Sequence, residues 1–225
     1  VGEEPHGRPG RLELLQVAAA VEVGAGDDLA GGAFTSQLFF NRSRDTFGGD
    51  PSPIESFQDA SIAPIGTLFD QSQNRSRKLG GKFNYERAMP GFEDLTATVG
   101  FDALFDKTEQ RLIVTNRTWV PPTDFRSLAP FAQFNLALLD EKLRLAAGVR
   151  HENVQIKVDD YTTLASSGSR RVTGGSPEFS DTLFNAGIVA EPWQGVRLYG
   201  SYAQGYTVPD VGRITRAVNR DGVRI

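Results

Sequence analysis

Residues 182–210, TLFNAGIVAEPWQGVRLYGSYAQGYTVPD, decide the fold class because they have the pattern of a β-hairpin. Side chains alternate with a period of two from Phe184 to Ala190, and the same period returns from Val196 to Tyr202. Residues 191–195 (EPWQG) separate the two runs, and their Pro and Gly are typical of a turn. Because proline cannot donate a hydrogen bond to a β-ladder, we expect Pro192 in the turn.

The same alternation predicts six more strands upstream of this hairpin. They cover residues 15–23, 33–41, 78–86, 94–106, 131–138 and 143–158. The connections are predicted to alternate in length. Short turns are expected at residues 24–32, 88–93, 139–142 and 191–195, and long connections at 42–74, 107–127 and 159–181. All the long connections therefore lie at one end of the strands.

This asymmetry predicts an all-β, antiparallel up-and-down transmembrane β-barrel segment with about eight long strands. Short periplasmic turns at one end and long extracellular loops at the other are typical of such barrels. Lipid offers no partner to a free backbone N–H or C=O, so the whole sheet has to close. On the strand at residues 94–106, we expect Leu95, Val99 and Phe101 to face hydrocarbon. Thr96, Thr98 and Asp102 are then expected to face a water-filled lumen.

Composition excludes several classes of site. The chain has no cysteine and only two histidines, His6 and His151, so it predicts no thiolate chemistry, metal site or catalytic constellation. We expect no cofactor and no enzymatic activity. A net charge of -4 argues against binding to nucleic acid. No run of about 18 apolar residues predicts a membrane-spanning helix, but a spanning β-strand needs only about 9–11 residues with alternate apolar ones.

Four segments, in order along the chain, resemble strands of the TonB-dependent siderophore receptors. They are residues 129–134 (APFAQF), 145–152 (LAAGVRHE), 184–189 (FNAGIV) and 198–210 (LYGSYAQGYTVPD), and Gly212-Arg213 continues the last one. The resemblance implies a barrel of about 22 strands with a plug inside it. It also implies import of ferric siderophores across the outer membrane of a Gram-negative bacterium, driven by the inner-membrane TonB complex.

The resemblance covers only the middle of such a barrel. We find no plug domain, no TonB box and no terminal strand ending in an aromatic residue, so we expect residues 1–225 to be a partial barrel domain of a longer receptor. The expected partners are a ferric siderophore as ligand, the lipid bilayer, and the TonB complex through the plug region that is missing here.

Five residues in the long connections are candidates for binding the ligand. Arg170 and Arg171 offer positive charge to an anionic ferric siderophore. Aromatic contacts are expected from Trp119, Phe125 and Tyr161. The alternative for all five is an ordinary structural role in exposed loops.

Two other readings of the pattern stay open. One is a complete small eight-stranded outer-membrane barrel with a structural or adhesion role. The other is a soluble β-sandwich that binds carbohydrate. Its strands are usually about 5–6 residues long, shorter than those predicted here.

Overall fold

One antiparallel sheet contains most of the chain. The computed structural model describes residues 14–29, 31–47, 54–216 and 218–225. Eight long strands pair in the order β1-β2-β3-β4-β5-β6-β9-β10. They are β1 (Leu14–Leu29), β2 (Gly32–Phe47), β3 (Ser72–Met89), β4 (Phe92–Leu112), β5 (Thr118–Leu138), β6 (Leu143–Val158), β9 (Glu178–Trp193) and β10 (Val196–Ala203).

Small elements occupy the connections at one end of this sheet. A two-stranded hairpin, β7 (Tyr161–Thr162) and β8 (Arg171–Val172), lies between β6 and β9. Single 3-10 turns cover Glu55–Phe57 and Ala165–Ser167, and one short helix, α1 (Val211–Arg216), follows β10. In the described part of the chain, no helix is long and apolar enough to cross a membrane.

The eight predicted strands are confirmed, but most are longer than the alternation indicates. The predicted long connection at residues 107–127 is wrong, because β4 continues to Leu112 and β5 begins at Thr118. Pro121-Pro122 stays within β5 where the pairing shifts between Thr108 and Gln110, so neither proline has to donate to a regular ladder. The alternation of apolar residues stops in this part of the strands, and the hydrogen-bonded ladder continues without it.

Several other strand ends differ in the same way. Residues 42–47 belong to β2, and β3 begins at Ser72. The predicted turn at residues 24–32 is shorter, since Leu29 pairs with Gly32. Pro192 lies inside β9 at a register shift next to the turn, not in the turn itself. The connections between β2 and β3 and between β6 and β9 remain long, as predicted.

The sheet is a single layer whose two faces differ in chemistry. Direct cross-strand partners share a face, so Val99 lies beside Tyr85 on β3 and Ala132 on β5. Val99 is 50% exposed and Leu79 is 53% exposed, because no second sheet covers this outward face. A β-sandwich is therefore excluded for the described residues. The strands β1 and β10 are the edges of the sheet, so these residues do not form a complete small barrel either.

The outward face changes from apolar to charged along one row of the sheet. Phe40, Leu79 and Phe105 are cross-strand neighbours, and the next outward row contains Arg42, Arg77 and Lys107. Ten residues separate Leu95 from Phe105 on β4. At about 3.4 Å per residue and a tilt of about 40°, they cover a height of about 26 Å. The apolar band is thus as tall as the lipid-facing band of an outer-membrane barrel.

Beyond this band, the inward face is covered by a cap formed by residues 54–71, 159–177, 204–216 and 218–225. One buried cluster in the cap packs against the end of β6 and contains Val154, Ile156, Val158, Tyr161, Val172 and Val218. A second cluster contains Phe57, Leu112 and Leu164, with Trp119 packed against it. The two clusters fix the cap over one end of the sheet.

Candidate functional site

The inward face of the sheet carries polar and charged side chains throughout the height of the apolar band. Strand alternation places Thr98 and Asp102 on this face, opposite to Val99 and Phe101. Their neighbours on β3 and β6 include Lys82 and Arg150. Within a closed barrel such a surface lines a wet lumen.

Arg150 organises the centre of the inward face. Its guanidinium donates to Asp102 at 2.7 Å and to the neighbouring Glu152. It also lies 5.8 Å from the centre of the Phe131 ring. Two carboxylates therefore neutralise one cation here, and the group acts as a cross-strand connection. This cluster includes no activated nucleophile.

Glycines keep parts of this inward face flat. A Cβ atom at Gly100 would lie 2.3 Å from the ring of Phe131, and one at Gly80 would lie 2.1 Å from the ring of Phe39. In both cases the ring belongs to the direct cross-strand partner of the glycine. Each aromatic ring therefore lies across the neighbouring strand where a side chain would otherwise stand.

A polar pocket of 690 Å³ lies between the inward face and α1. Its wall side includes Asn41, Ser76 and Thr108, and its cap side includes Arg216. Lys78 and Asp106, which also line it, form an ion pair at 3.5 Å. Amide and hydroxyl groups at these positions suit a ligand rich in oxygen and hydrogen-bond donors. The described residues contain no cluster of three or more metal-binding side chains.

Asp70 fixes the connection between β4 and β5 to the rest of the cap. Its carboxylate is fully buried and accepts hydrogen bonds from the backbone N–H groups of Val114 and Thr115 at 2.9 and 3.2 Å. Arg117 lies 3.9 Å from the same carboxylate and donates to the carbonyl oxygen of Phe57 at 2.6 Å. One buried acid therefore joins residues 114 and 115 to the segment that precedes β3.

Of the predicted aromatic site residues, Tyr161 lies in the cap, whereas Trp119 and Phe125 lie on β5 and not in a loop, and they pack against the buried clusters. Tyr161 is 8% exposed and donates its hydroxyl to the carbonyl oxygen of Thr215 at 2.9 Å. Burial raises the pKa of the Tyr161 phenol to about 12. Phe125 packs against the same cluster, whereas Trp119 contacts Phe57 edge-on in the second cluster at 4.8 Å. The structure brings Tyr161 and Phe125 together and leaves Trp119 separate from them.

The predicted arginines lie on and beside the β7–β8 hairpin. Arg170 forms an ion pair with Asp221 at 2.7 Å, so it links the hairpin to the segment after β10. Arg171 is the first residue of β8, and its side chain is exposed. Contact with a ligand by these two arginines and by the three aromatic residues remains a prediction.

Arg216 is a residue of the site that sequence reasoning missed. It lies in α1 with its guanidinium 5.4 Å from the centre of the Trp119 ring, and it also lines the polar pocket. In the sequence it is one of several spaced arginines after β10, a pattern that indicates only a basic tail. Its position follows from the helix crossing back over β5, which no local signal predicts.

Comparison with known proteins shows the family of the chain and proteins that are similar to it. The family described as "TonB dependent receptor-like, beta-barrel" matches residues 13–222. The chain is similar to the "Ferric aerobactin receptor" of Klebsiella pneumoniae, with 26% identity over 176 residues, which are 65% of this chain and 23% of that protein. It is also similar in fold to the solved structure of the "Copper transporter OprC". The TM-score is 0.65 at 14% identity, covering 88% of this chain and 31% of that one.

Proposed function

Because the chain belongs to the TonB-dependent receptor β-barrel family, we propose that it forms part of the wall of an outer-membrane receptor that takes up ferric siderophores. The chain spans less than a third of the length of the aerobactin receptor and of the copper transporter, so the proposed activity is that of a longer protein. In this proposal the turn ends of the strands face the periplasm and the cap faces the outside of the cell.

The observation that carries the proposal is the difference between the two faces over the same height of wall. Leu79, Val99 and Phe105 point outward from a face that no second sheet covers. Lys82, Thr98 and Asp102 point inward. A soluble protein gains nothing from an exposed apolar band of this extent, since such patches favour association. A lipid bilayer outside and water inside account for both faces.

The ligand class is supported by the family and by the name of the aerobactin receptor. Siderophores carry many oxygen atoms, and the polar pocket beneath α1 offers hydroxyl, amide and guanidinium groups to them. Arg170 and Arg171 add positive charge at the cap, where an anionic chelate would first arrive. We propose these groups, with Trp119, Phe125 and Tyr161, as the ligand-facing set.

The proposed energy source is the TonB complex, which would act through a plug held inside the complete barrel. Both edges of the present sheet need a strand to pair with, because lipid cannot satisfy their backbone groups. In the full receptor we expect further strands beside β1 and β10. The inward polar face would then contact the plug and the lumen water.

Cysteine labelling tests the orientation of the wall. The chain has no cysteine, so single substitutions such as Val99→Cys and Thr98→Cys report one position each. In cells that express the full receptor, Val99→Cys is expected to resist a charged maleimide and to react with a lipid-soluble one. Thr98→Cys should react with the charged reagent once urea gives the reagent access to the lumen of the receptor. Equal reaction of both positions with the charged reagent would exclude a wall in lipid.

Transport tests the ligand class. Deleting the gene of the full receptor is expected to abolish growth on, and uptake of, a radiolabelled ferric siderophore, and supplying the gene again should restore both. A strain without TonB should behave like the deletion. Unchanged uptake of every ferric chelate supplied, or loss of copper uptake alone, would contradict the proposal.

A further inference from the structure

Two phenylalanine rings lie flat on the inward face of the wall, each over a glycine of the neighbouring strand. The ring of Phe39 covers Gly80, and the ring of Phe131 covers Gly100. Both phenylalanine side chains remain partly exposed. On a wall that is otherwise polar, each ring therefore offers a flat apolar surface on which a planar group can stack.

Each ring lines a cavity of its own. Phe39 is part of the polar pocket of 690 Å³ beneath α1, and Phe131 is part of a second cavity of 320 Å³. Asn84, the cross-strand partner of Gly100, follows Gly80 by four residues on β3, which runs from the cap to the short turn. At about 3.4 Å per residue, the ring of Phe131 therefore lies about 14 Å further from the cap.

Lys82 lies midway between the two rings. Its side chain faces inward on β3, is exposed, and lines the smaller cavity together with Phe131. The cross-strand partner of Lys82 is Asp102, which Arg150 already holds at 2.7 Å. Lys82 forms no ion pair with any carboxylate whose position the structure describes. Its ammonium group is therefore free to contact a passing anion.

We propose that Phe39, Lys82 and Phe131 form a track along which an anionic ferric chelate with aryl groups passes through the lumen. An aryl ring with two neighbouring anionic oxygen atoms binds ferric iron through those oxygens. Such a ring stacks first on Phe39 and then on Phe131, and Lys82 donates to its oxygen atoms between the two positions. A chelate with several aryl groups engages the second ring before it leaves the first.

This inference rests on the proposed function and narrows its ligand class. A chelate built from citrate or from aliphatic hydroxamates has no ring that could stack on Phe39 or Phe131. A purely structural role of the two rings, as cover for Gly80 and Gly100, requires only the packing of ring on glycine. That role would make no difference between aromatic and aliphatic chelates, so the two explanations are separable by the choice of ligand.

Uptake by cells that express the full receptor tests the track. The probes are three radiolabelled ferric complexes: a tris-catecholamide, which is aromatic and anionic, a citrate, which is anionic without a ring, and an uncharged aliphatic trihydroxamate. The double variant Phe39→Leu, Phe131→Leu is expected to take up only the tris-catecholamide more slowly, by about tenfold. Lys82→Gln is expected to slow both anionic complexes by about fivefold and to leave the trihydroxamate unchanged.

Two control variants separate the track from a loss of folding. Phe39→Tyr, Phe131→Tyr keeps both rings and should take up the tris-catecholamide as the wild type does. Phe101→Leu, Lys107→Gln removes one ring and one charge from the outward face, and it should also behave like the wild type. The amount of each variant in the outer membrane is measured, and the uptake rates are compared per receptor.

Equal slowing of all three complexes by the double leucine variant would overturn the inference, because the rings would then only support the wall. Wild-type uptake of the tris-catecholamide by the double leucine variant, or by Lys82→Gln, would overturn it as well. If the wild type takes up other ferric chelates but not the tris-catecholamide, the inference alone fails. If the wild type takes up no ferric chelate, the proposed function fails with it.

Discussion

Arg150 on β6 and Asp102 on β4 form an ion pair of 2.7 Å that passes over the strand between them, β5. Ala129, the cross-strand partner of Asp102, is fully buried beneath the pair. A larger side chain at this position would obstruct the guanidinium. The three strands are therefore joined on their inward face by a side-chain link in addition to the backbone ladder.

The first prediction concerns this link. In a double-mutant cycle with Asp102→Asn and Arg150→Gln, we expect a coupling free energy of about 1 kcal/mol, because both side chains are partly screened by water. The measurement is urea unfolding of the full receptor in lipid vesicles. The exposed pair Lys157 and Asp159, 3.9 Å apart, is the control and should couple by about 0 kcal/mol. Equal coupling free energies in both cycles would show that the ion pair across β5 is no stronger than an exposed surface pair.

The second prediction concerns the flat inward wall. Gly100→Ala is expected to destabilise the sheet by about 1–3 kcal/mol, because its new Cβ would meet the Phe131 ring at 2.3 Å. Gly187→Ala on the same face has 3.9 Å to its nearest neighbour and should be neutral or slightly stabilising. The free energy of unfolding is measured in vesicles for both. Phe131→Leu should reduce the cost of Gly100→Ala; the absence of such rescue would mean that the ring is not the cause.

The third prediction concerns the buried carboxylate of the cap. Asp70→Asn is expected to cost about 2–3 kcal/mol in local stability, since the amide loses the charge-assisted bonds from Val114 and Thr115. Hydrogen exchange of these two amides should become much faster, while exchange in β3 stays slow. Asp221→Asn is the control, because that side chain is 73% exposed. Unchanged exchange at Val114 in the Asp70 variant would show that other contacts hold the connection.

The fourth prediction is a pH effect at Tyr161. Burial raises its pKa from 10.0 to about 12, so the unfolded chain loses this proton first as the pH rises. The contribution of Tyr161 to cap stability is therefore complete below pH 10 and declines from pH 10 to about 12. Tyrosinate absorbance, compared between the wild type and Tyr161→Phe, isolates this titration.

The same variant also loses the hydrogen bond to Thr215, at a cost of about 1 kcal/mol. Tyr199→Phe is the control, since Tyr199 is 85% exposed. A Tyr161 titration near pH 10 would mean that the phenol is open to water and that the cap does not enclose it.

The strands could be predicted from sequence wherever lipid and water lie on opposite sides of the wall. That contrast forces a period of two on residues such as Thr98 and Val99, and the period is visible without any structure. Beyond the Phe105 row the outward face carries charged residues and the inward face packs against the cap, so the contrast that sets the period is lost while the ladder persists. This is why β4 and β5 were predicted too short and why Pro121-Pro122 indicated a loop.

The structure of the cap was not predictable from sequence, and the physical reason is different. Its contacts join residues far apart in the chain, such as Phe57 with Trp119 and Tyr161 with Thr215. Their place in the predicted long connections made Trp119 and Tyr161 candidates for contact with a ligand, which remains a prediction. The sequence did not predict that their rings are largely used in packing, nor that Arg216 returns to the pocket. Such information lies in the tertiary arrangement and has no local signature.

The pairing of β2 with β3 runs from Ala33 and Glu86 to Phe47 and Ser72 without a single register shift. A pair without a bulge has no local point at which the ladder bends, so β2 and β3 behave as one stiff unit along their whole length. A change in the curvature of the sheet would then fall at the pairs that do have register shifts, such as β4 with β5 between Thr108 and Arg111.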